Sequence, residues 1–183
     1  MNIPNLLTLF RILLVPFIVI LIIRKAFFYV LIAFICAGIT DALDGFLARI
    51  LKQQTALGAY LDPVADKALM ASTFISLSIF HFIPGWLAVI VISRDFIILL
   101  GILILFIMSV SVEMKATIIS KLTMVCQTLT VFFVLLFNSF PDYRNRDLLD
   151  GMFWLTALFT VISGLHYIHR GIQYVNTVSN SDS

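Results

Sequence analysis

Residues 41–66 read DALDGFLARILKQQTALGAYLDPVAD, and this stretch holds four aspartates in a chain that is otherwise mostly hydrocarbon. Asp41, Asp44, Gly45, Ala48 and Arg49 fall at i, i+3, i+4, i+7 and i+8, which is one face of a helix. That face carries two carboxylates, then two residues with almost no side chain, then a cation. Asp62 and Asp66 stand four apart on the next segment, with Pro63 tolerated if it lies in a first helical turn and Asp62 then able to act as an N-cap. A tight hairpin would bring the second pair of acids against the first.

Carboxylates are costly in an apolar environment unless something compensates them. Four facing carboxylates cannot all stay ionised without counter-charge. They could protonate and relay protons, pair with Arg49, Lys52 and Lys67, or bind divalent cations. An all-oxygen donor set suits a hard ion such as Mg²⁺ or Mn²⁺, and two such ions form a clamp for displacement at phosphorus. Small residues in membrane helices usually serve packing. Gly45 and Ala48 in register with two acids and Arg49 favour a diphosphate site instead, because a larger side chain there would block a docking nucleotide.

The surroundings of the stretch set the class. Of 183 residues, 61% are hydrophobic and 12% charged, and the mean hydropathy is +1.08. A soluble domain carries about 25% charged residues, so the composition excludes an ordinary soluble enzyme. A net charge of +2 gives no electrostatic footprint for nucleic acid. Cys36 and Cys126 lie far apart in apolar runs, where packing explains them and no metal or disulfide spacing does.

Six windows meet the length needed to span a bilayer: roughly 4–23, 26–50, 61–82, 85–109, 117–138 and 151–173. The expected fold is therefore an all-α integral membrane protein, a six-transmembrane-helix bundle forming one domain over 1–183, with a flexible tail from about 176. The N-terminus, with Arg11 interrupting its apolar run, reads as the first membrane helix and not as a secretory signal. Basic residues at Arg11, Arg49, Lys52, Lys67, Lys115, Lys121 and Arg170 outnumber Arg24, Lys25, Arg144 and Arg146 on the other side. That balance puts both termini and the aspartate hairpin on the cytoplasmic side. Trp86 and Trp154 then fall at the outer ends of their helices, as an aromatic belt would. His81, His166 and His169 have no ligand spacing.

The stretch matches the pattern D-x-x-D-G-x-x-A-R-x(8)-G-x-x-x-D-x-x-x-D at every defined position: Asp41, Asp44, Gly45, Ala48, Arg49, Gly58, Asp62 and Asp66. In this it resembles the CDP-alcohol phosphatidyltransferases. "NIPNLLTLFRI", "VISRDFIILLG" and "IISKLTMVCQ" extend the resemblance to members that make phosphatidylglycerophosphate or cardiolipin. The resemblance implies a six-helix membrane enzyme, usually a homodimer, that moves a phosphatidyl group from CDP-diacylglycerol to an alcohol and releases CMP. It also implies a multi-pass protein of the bacterial cytoplasmic membrane with its site facing the cytoplasm. By the same resemblance Asp41, Asp44, Asp62 and Asp66 hold two divalent cations, Mg²⁺ or Mn²⁺. Asp44, Gly45, Ala48, Arg49 and Gly58 accommodate the CDP end, and Asp66 is the general base.

For the acceptor, Arg94, Lys121 and Arg11 are the candidate phosphate ligands. An Arg94-Asp95 pair in an apolar helix should face the protein interior. Phosphatidylglycerophosphate synthases usually carry Arg-Glu there and a second arginine one to two turns on. This chain has Arg94-Asp95 followed by "FIILLGILILF". Fewer cations suit a phosphodiester, and "SRD", "ISK" and "HYIHRGIQYV" look closer to CMP-forming cardiolipin synthases. The reading leans to phosphatidylglycerol as acceptor, with glycerol 3-phosphate the alternative. A cation transporter using the acids is the remote alternative, but it would spread its ionisable residues toward the membrane midplane. A membrane prenyltransferase would need a second, separate aspartate-rich motif.

Overall fold

The computed structural model describes the backbone of residues 3–51, 56–107 and 117–181. Side chains are described for 9–40, 65–101, 117–171 and 173. Among the described residues the chain forms six α-helices and no strand: α1 Ile3–Ile23, α2 Phe27–Leu51, α3 Ala56–Ile79, α4 Gly85–Ile107, α5 Ile118–Ser139 and α6 Arg146–Ser181, with a 3₁₀ turn at Pro141–Tyr143 before α6. The all-helical expectation holds. Among the described residues two helical segments are long and apolar enough to cross a membrane, Ile118–Ser139 and Arg146–Gly171.

The chain divides into two units. The first contains residues 1–83 and 131–146, where α1 packs against both α2 and α3. The buried stripe of α1 is Arg11, Leu14, Ile18 and Ile22, at i, i+3, i+7 and i+11. Among the described residues α1 packs on α2 and α3, so that stripe is directed at them. On α3 the matching buried residues are Ala65, Leu69, Thr73 and Leu77. Thr73 donates to the Leu69 carbonyl at 2.7 Å, so its hydroxyl is satisfied within its own helix and costs little when buried.

Two turns close the helices of this unit without glycine. After α1, the Ala26 N–H donates to the Leu21 carbonyl and the Lys25 N–H to the Ile22 carbonyl, with Lys25 at φ 56°. After α3, the Phe82 N–H reaches the Leu77 carbonyl and the His81 N–H the Ser78 carbonyl, with His81 at φ 61°. Both are the paired-bond helix stop that normally places glycine in the left-handed position. Phe27 and Phe82, just beyond the two stops, meet edge-to-face at 4.6 Å between centroids.

The second unit contains residues 84–130 and 147–183. Its burial is inverted relative to a soluble protein. Thr123, Thr130, Thr160 and Ser163 are fully buried, while Val89, Phe96, Trp154 and Leu165 are more than 60% exposed. The polar residues form a seam between α5 and α6. Thr123 donates to the Phe159 carbonyl at 3.0 Å, Gln127 to Thr160 at 3.3 Å, and the Thr130 and Thr156 hydroxyls meet at 2.8 Å. Such an arrangement joins helices where apolar contact gives no advantage over lipid, and the apolar exterior is what hydrocarbon would cover.

Two boundaries differ from the sequence reading. α3 begins at Ala56, not near 61. Asp62 is therefore inside the helix, not its N-cap, and Pro63 is beyond the first turn. The proline deprives the Ala59 carbonyl of its helical N–H donor, a loss that neighbouring groups can repair in a membrane helix. α6 continues past 173 to Ser181, through the polar residues expected to lie beyond it. Hydropathy marks where a helix can be buried, not where it stops.

A left-handed β-carbon costs about 1 kcal/mol that glycine avoids. His81→Gly is expected to raise the unfolding midpoint by about 2–4 °C. A lower midpoint in detergent-solubilised protein would show that the histidine side chain contributes more than its backbone strain costs.

Candidate functional site

The aspartates are distributed over the two helices that α1 packs on. Asp41, Asp44, Gly45, Ala48 and Arg49 all lie within the continuous helix α2, and Gly58, Asp62 and Asp66 within α3. The i, i+3, i+4, i+7, i+8 face expected from sequence thus exists as one helical face. Counting along the helices, Asp41 is about 15 Å from the C-terminal end of α2, and Asp66 is about 15 Å from the N-terminal start of α3. Asp44 and Asp62 are about 10 Å and about 9 Å from the same ends. Counted along the chain, the two pairs therefore stand at matching distances from the connection between α2 and α3. The side chains of Asp41, Asp44, Gly45, Ala48, Arg49, Gly58 and Asp62 lie outside the described residues. Asp66 is described, half-buried beside the fully buried Ala65. Among the described side chains no group of three acids, histidines or cysteines forms a metal cluster.

The donor set fits hard divalent ions by its chemistry. The motif offers four carboxylates and no sulfur or imidazole, the donor type that Mg²⁺ or Mn²⁺ select. Two such ions would offset the four charges that the apolar helices could not otherwise hold.

The candidate acceptor residues fare differently. Arg94, on α4, is 5% exposed and sits at the centre of a polar cluster. Its Nη1 donates to Asp95 Oδ1 at 2.6 Å. Its Nη2 donates to Ser120 Oγ at 2.6 Å and to Ser163 Oγ at 2.9 Å. Its Cζ stands 5.9 Å from the Tyr167 ring centroid, within cation–π reach. The Nε is buried and has no hydrogen-bond partner among the described residues. The expectation of an inward-facing Arg94-Asp95 pair is met. Lys121 is exposed; its neighbour Ser120 is the residue that meets Arg94. Arg11 is 1% exposed, on the buried stripe of α1.

Sequence reading missed Ser120, Ser163 and Tyr167. A signal was present: Ser120, Thr123, Gln127 and Thr130 repeat at helical spacing on α5, and Thr156, Thr160 and Ser163 answer on α6. A polar stripe on each of two apolar helices marks a shared interior. Gly164 belongs to the same cluster, because a β-carbon built there would lie 3.6 Å from Arg94 Cγ.

The chain belongs to the CDP-alcohol phosphatidyltransferase family, whose model matches residues 1–162. It is similar to the CDP-diacylglycerol–glycerol-3-phosphate 3-phosphatidyltransferase of Bacillus subtilis, 31% identical over 191 aligned positions that cover 96% of this chain and 98% of the relative. It is also similar to human cardiolipin synthase (CMP-forming), 32% identical over 195 positions, covering 98% of this chain and 64% of that protein. A Haemophilus influenzae protein named as a glycerol-3-phosphate 3-phosphatidyltransferase is 47% identical over 103 positions, 53% of this chain and 55% of its own length. The chain thus spans less than two thirds of the human and Haemophilus relatives.

Gly164 supplies a test of the cluster. An added methyl makes only ordinary contact with Arg94, so Gly164→Ala should leave stability within about 0.5 kcal/mol. Gly164→Leu should press Arg94 out of reach of Ser163 and cost about 2 kcal/mol or more. Equal thermal midpoints for the two variants would show that the α6 backbone is free to yield.

Proposed function

We propose that this chain transfers a phosphatidyl group from CDP-diacylglycerol to a glycerol-type alcohol and releases CMP, as a multi-pass protein of a bacterial cytoplasmic membrane with its site on the cytoplasmic side. What supports the reading is that all eight motif residues fall on two successive helices, the acid pairs at equal distances along the chain from the connection between them. Membership of the CDP-alcohol phosphatidyltransferase family supports it.

In this account Asp41, Asp44, Asp62 and Asp66 hold two divalent cations. When bound, these would neutralise the diphosphate and stabilise charge on the leaving CMP. Gly45, Ala48 and Gly58 leave room for the cytidine end, Asp44 contributes to its binding, and Arg49 supports the phosphates. Asp66 takes the proton from the acceptor hydroxyl as that oxygen bonds to the phosphatidyl phosphorus and the bond to CMP breaks. A carboxylate is a weak base, but it needs to accept the proton only as the transition state forms. Six spans and a homodimer complete the proposal.

The acceptor reading rests on Arg94. Its guanidinium is shared with Asp95, so the cluster offers less than a full positive charge. That suits the single charge of a phosphodiester, and phosphatidylglycerol is the acceptor favoured. Lys121 would complete the contact from the exposed side of α5. Glycerol 3-phosphate is the second reading, favoured by the near end-to-end match with the Bacillus protein, whose name specifies that acceptor.

Detergent-purified protein given CDP-diacylglycerol, Mg²⁺ or Mn²⁺, and one acceptor at a time should release CMP with phosphatidylglycerol and form cardiolipin. Release with glycerol 3-phosphate alone selects the second reading, and release with neither removes the reaction. Arg94→Ala should raise the KM for the acceptor about tenfold or more and change that for the CDP-lipid little. The opposite split would move Arg94 to the nucleotide side.

A further inference from the structure

Arg11 poses a problem that its burial makes specific. A guanidinium 1% exposed cannot borrow water as its counter-charge, and an uncompensated buried cation costs several kcal/mol. Its stripe on α1 is directed at α2 and α3, the helices α1 packs on. The acids of this unit are Asp41 and Asp44 on α2, Asp62 and Asp66 on α3, and Asp142. Asp142 is exposed on the 3₁₀ turn before α6. Any carboxylate that compensates Arg11 from the packed helices is therefore one of the four motif aspartates.

Register narrows the choice. α1 and α2 form a hairpin closed at Lys25. Twelve residues back from Ile23 is Arg11, and twelve forward from Phe27 is Ile39. Asp41 is two residues further, about 3 Å along the axis. Counting back thirteen residues from Ile79, the end of α3, gives Asp66, and the Phe27–Phe82 contact joins that end to the start of α2. An arginine stem spans that distance easily.

We propose that Arg11 is the resident counter-cation of the aspartate cluster, a positioning residue that holds part of its charge when divalent ions are absent and competes with them when they bind. The metal half of this statement rests on the function proposed above; the pairing itself does not. Four carboxylates with one fixed cation carry a net charge of minus three. Release of an ion then costs less than it would from a bare tetrad. Its place on the stripe directed at α2 and α3 suits this internal role.

The test is thermal unfolding of the full chain in detergent with EDTA. Arg11→Gln should lower the midpoint by about 5–10 °C, and Arg11→Lys should recover most of that loss. Adding Asp41→Asn or Asp66→Asn to Arg11→Gln should regain at least half of it, because one fewer carboxylate then goes uncompensated, whereas Asp142→Asn should regain nothing. If Arg11→Gln alone does not accumulate, the same rescue is read as recovered yield. No rescue by any of the four motif substitutions overturns the pairing. In a second measurement, Mn²⁺ alone should bind Arg11→Gln about tenfold more tightly than the wild type. Equal affinity overturns the competition. Rescue in EDTA with no Mn²⁺ bound by the wild type would leave the pairing standing and remove the metal site from the proposed function.

Discussion

Charge buried among apolar helices must be compensated inside the protein, and the architecture of this chain follows from that constraint. Arg94 is held by Asp95, Ser120 and Ser163, with the Tyr167 ring as a fourth neighbour. These groups come from α4, α5 and α6, so one guanidinium fixes three helices against each other. The surrounding threonines and Gln127 extend the same logic along α5 and α6. Each of these groups is paired across the seam or back to its own helix, while Val89, Phe96, Trp154 and Leu165 face outward. Where lipid replaces water, hydrogen bonds and close fit join helices, because apolar burial no longer distinguishes inside from outside.

The other unit carries the opposite sign of the problem. The four motif aspartates fall on α2 and α3, the helices on which α1 packs, and α1 carries the buried Arg11. Neither a soluble core nor a lipid-facing surface would tolerate that concentration of acid. The proposed chemistry uses the imbalance: a site short of positive charge recruits divalent ions, and the ions in turn recruit a diphosphate. Stability and function draw on the same shortfall, which is why the motif residues are at once the costliest and the most informative in the chain.

Much of this was legible in the sequence. The helical face of Asp41, Asp44, Gly45, Ala48 and Arg49 needed only the spacing, and the helix that carries it is continuous in the structure. The inward turn of Arg94 followed from the cost of a charge in an apolar run. What was not legible depended on distant partners or on backbone geometry. Ser120 and Ser163 are 26 and 69 residues from Arg94, and a serine in an apolar helix gives no sign of which helix it will face. Pro63 suggested a first turn, yet α3 starts at Ala56 and carries the proline in its interior. Lys25 and His81 carry no turn signature, and both adopt the left-handed conformation to end their helices.

The central claim is that the aspartates of α2 and α3 are a divalent-ion site. Mn²⁺ bound per chain, measured by equilibrium binding in the presence of CDP, tests it most directly. The account predicts two ions per chain, with at least one lost in Asp62→Asn at unchanged helical content. A chain that binds no Mn²⁺, or binds it equally after that substitution, would contradict it.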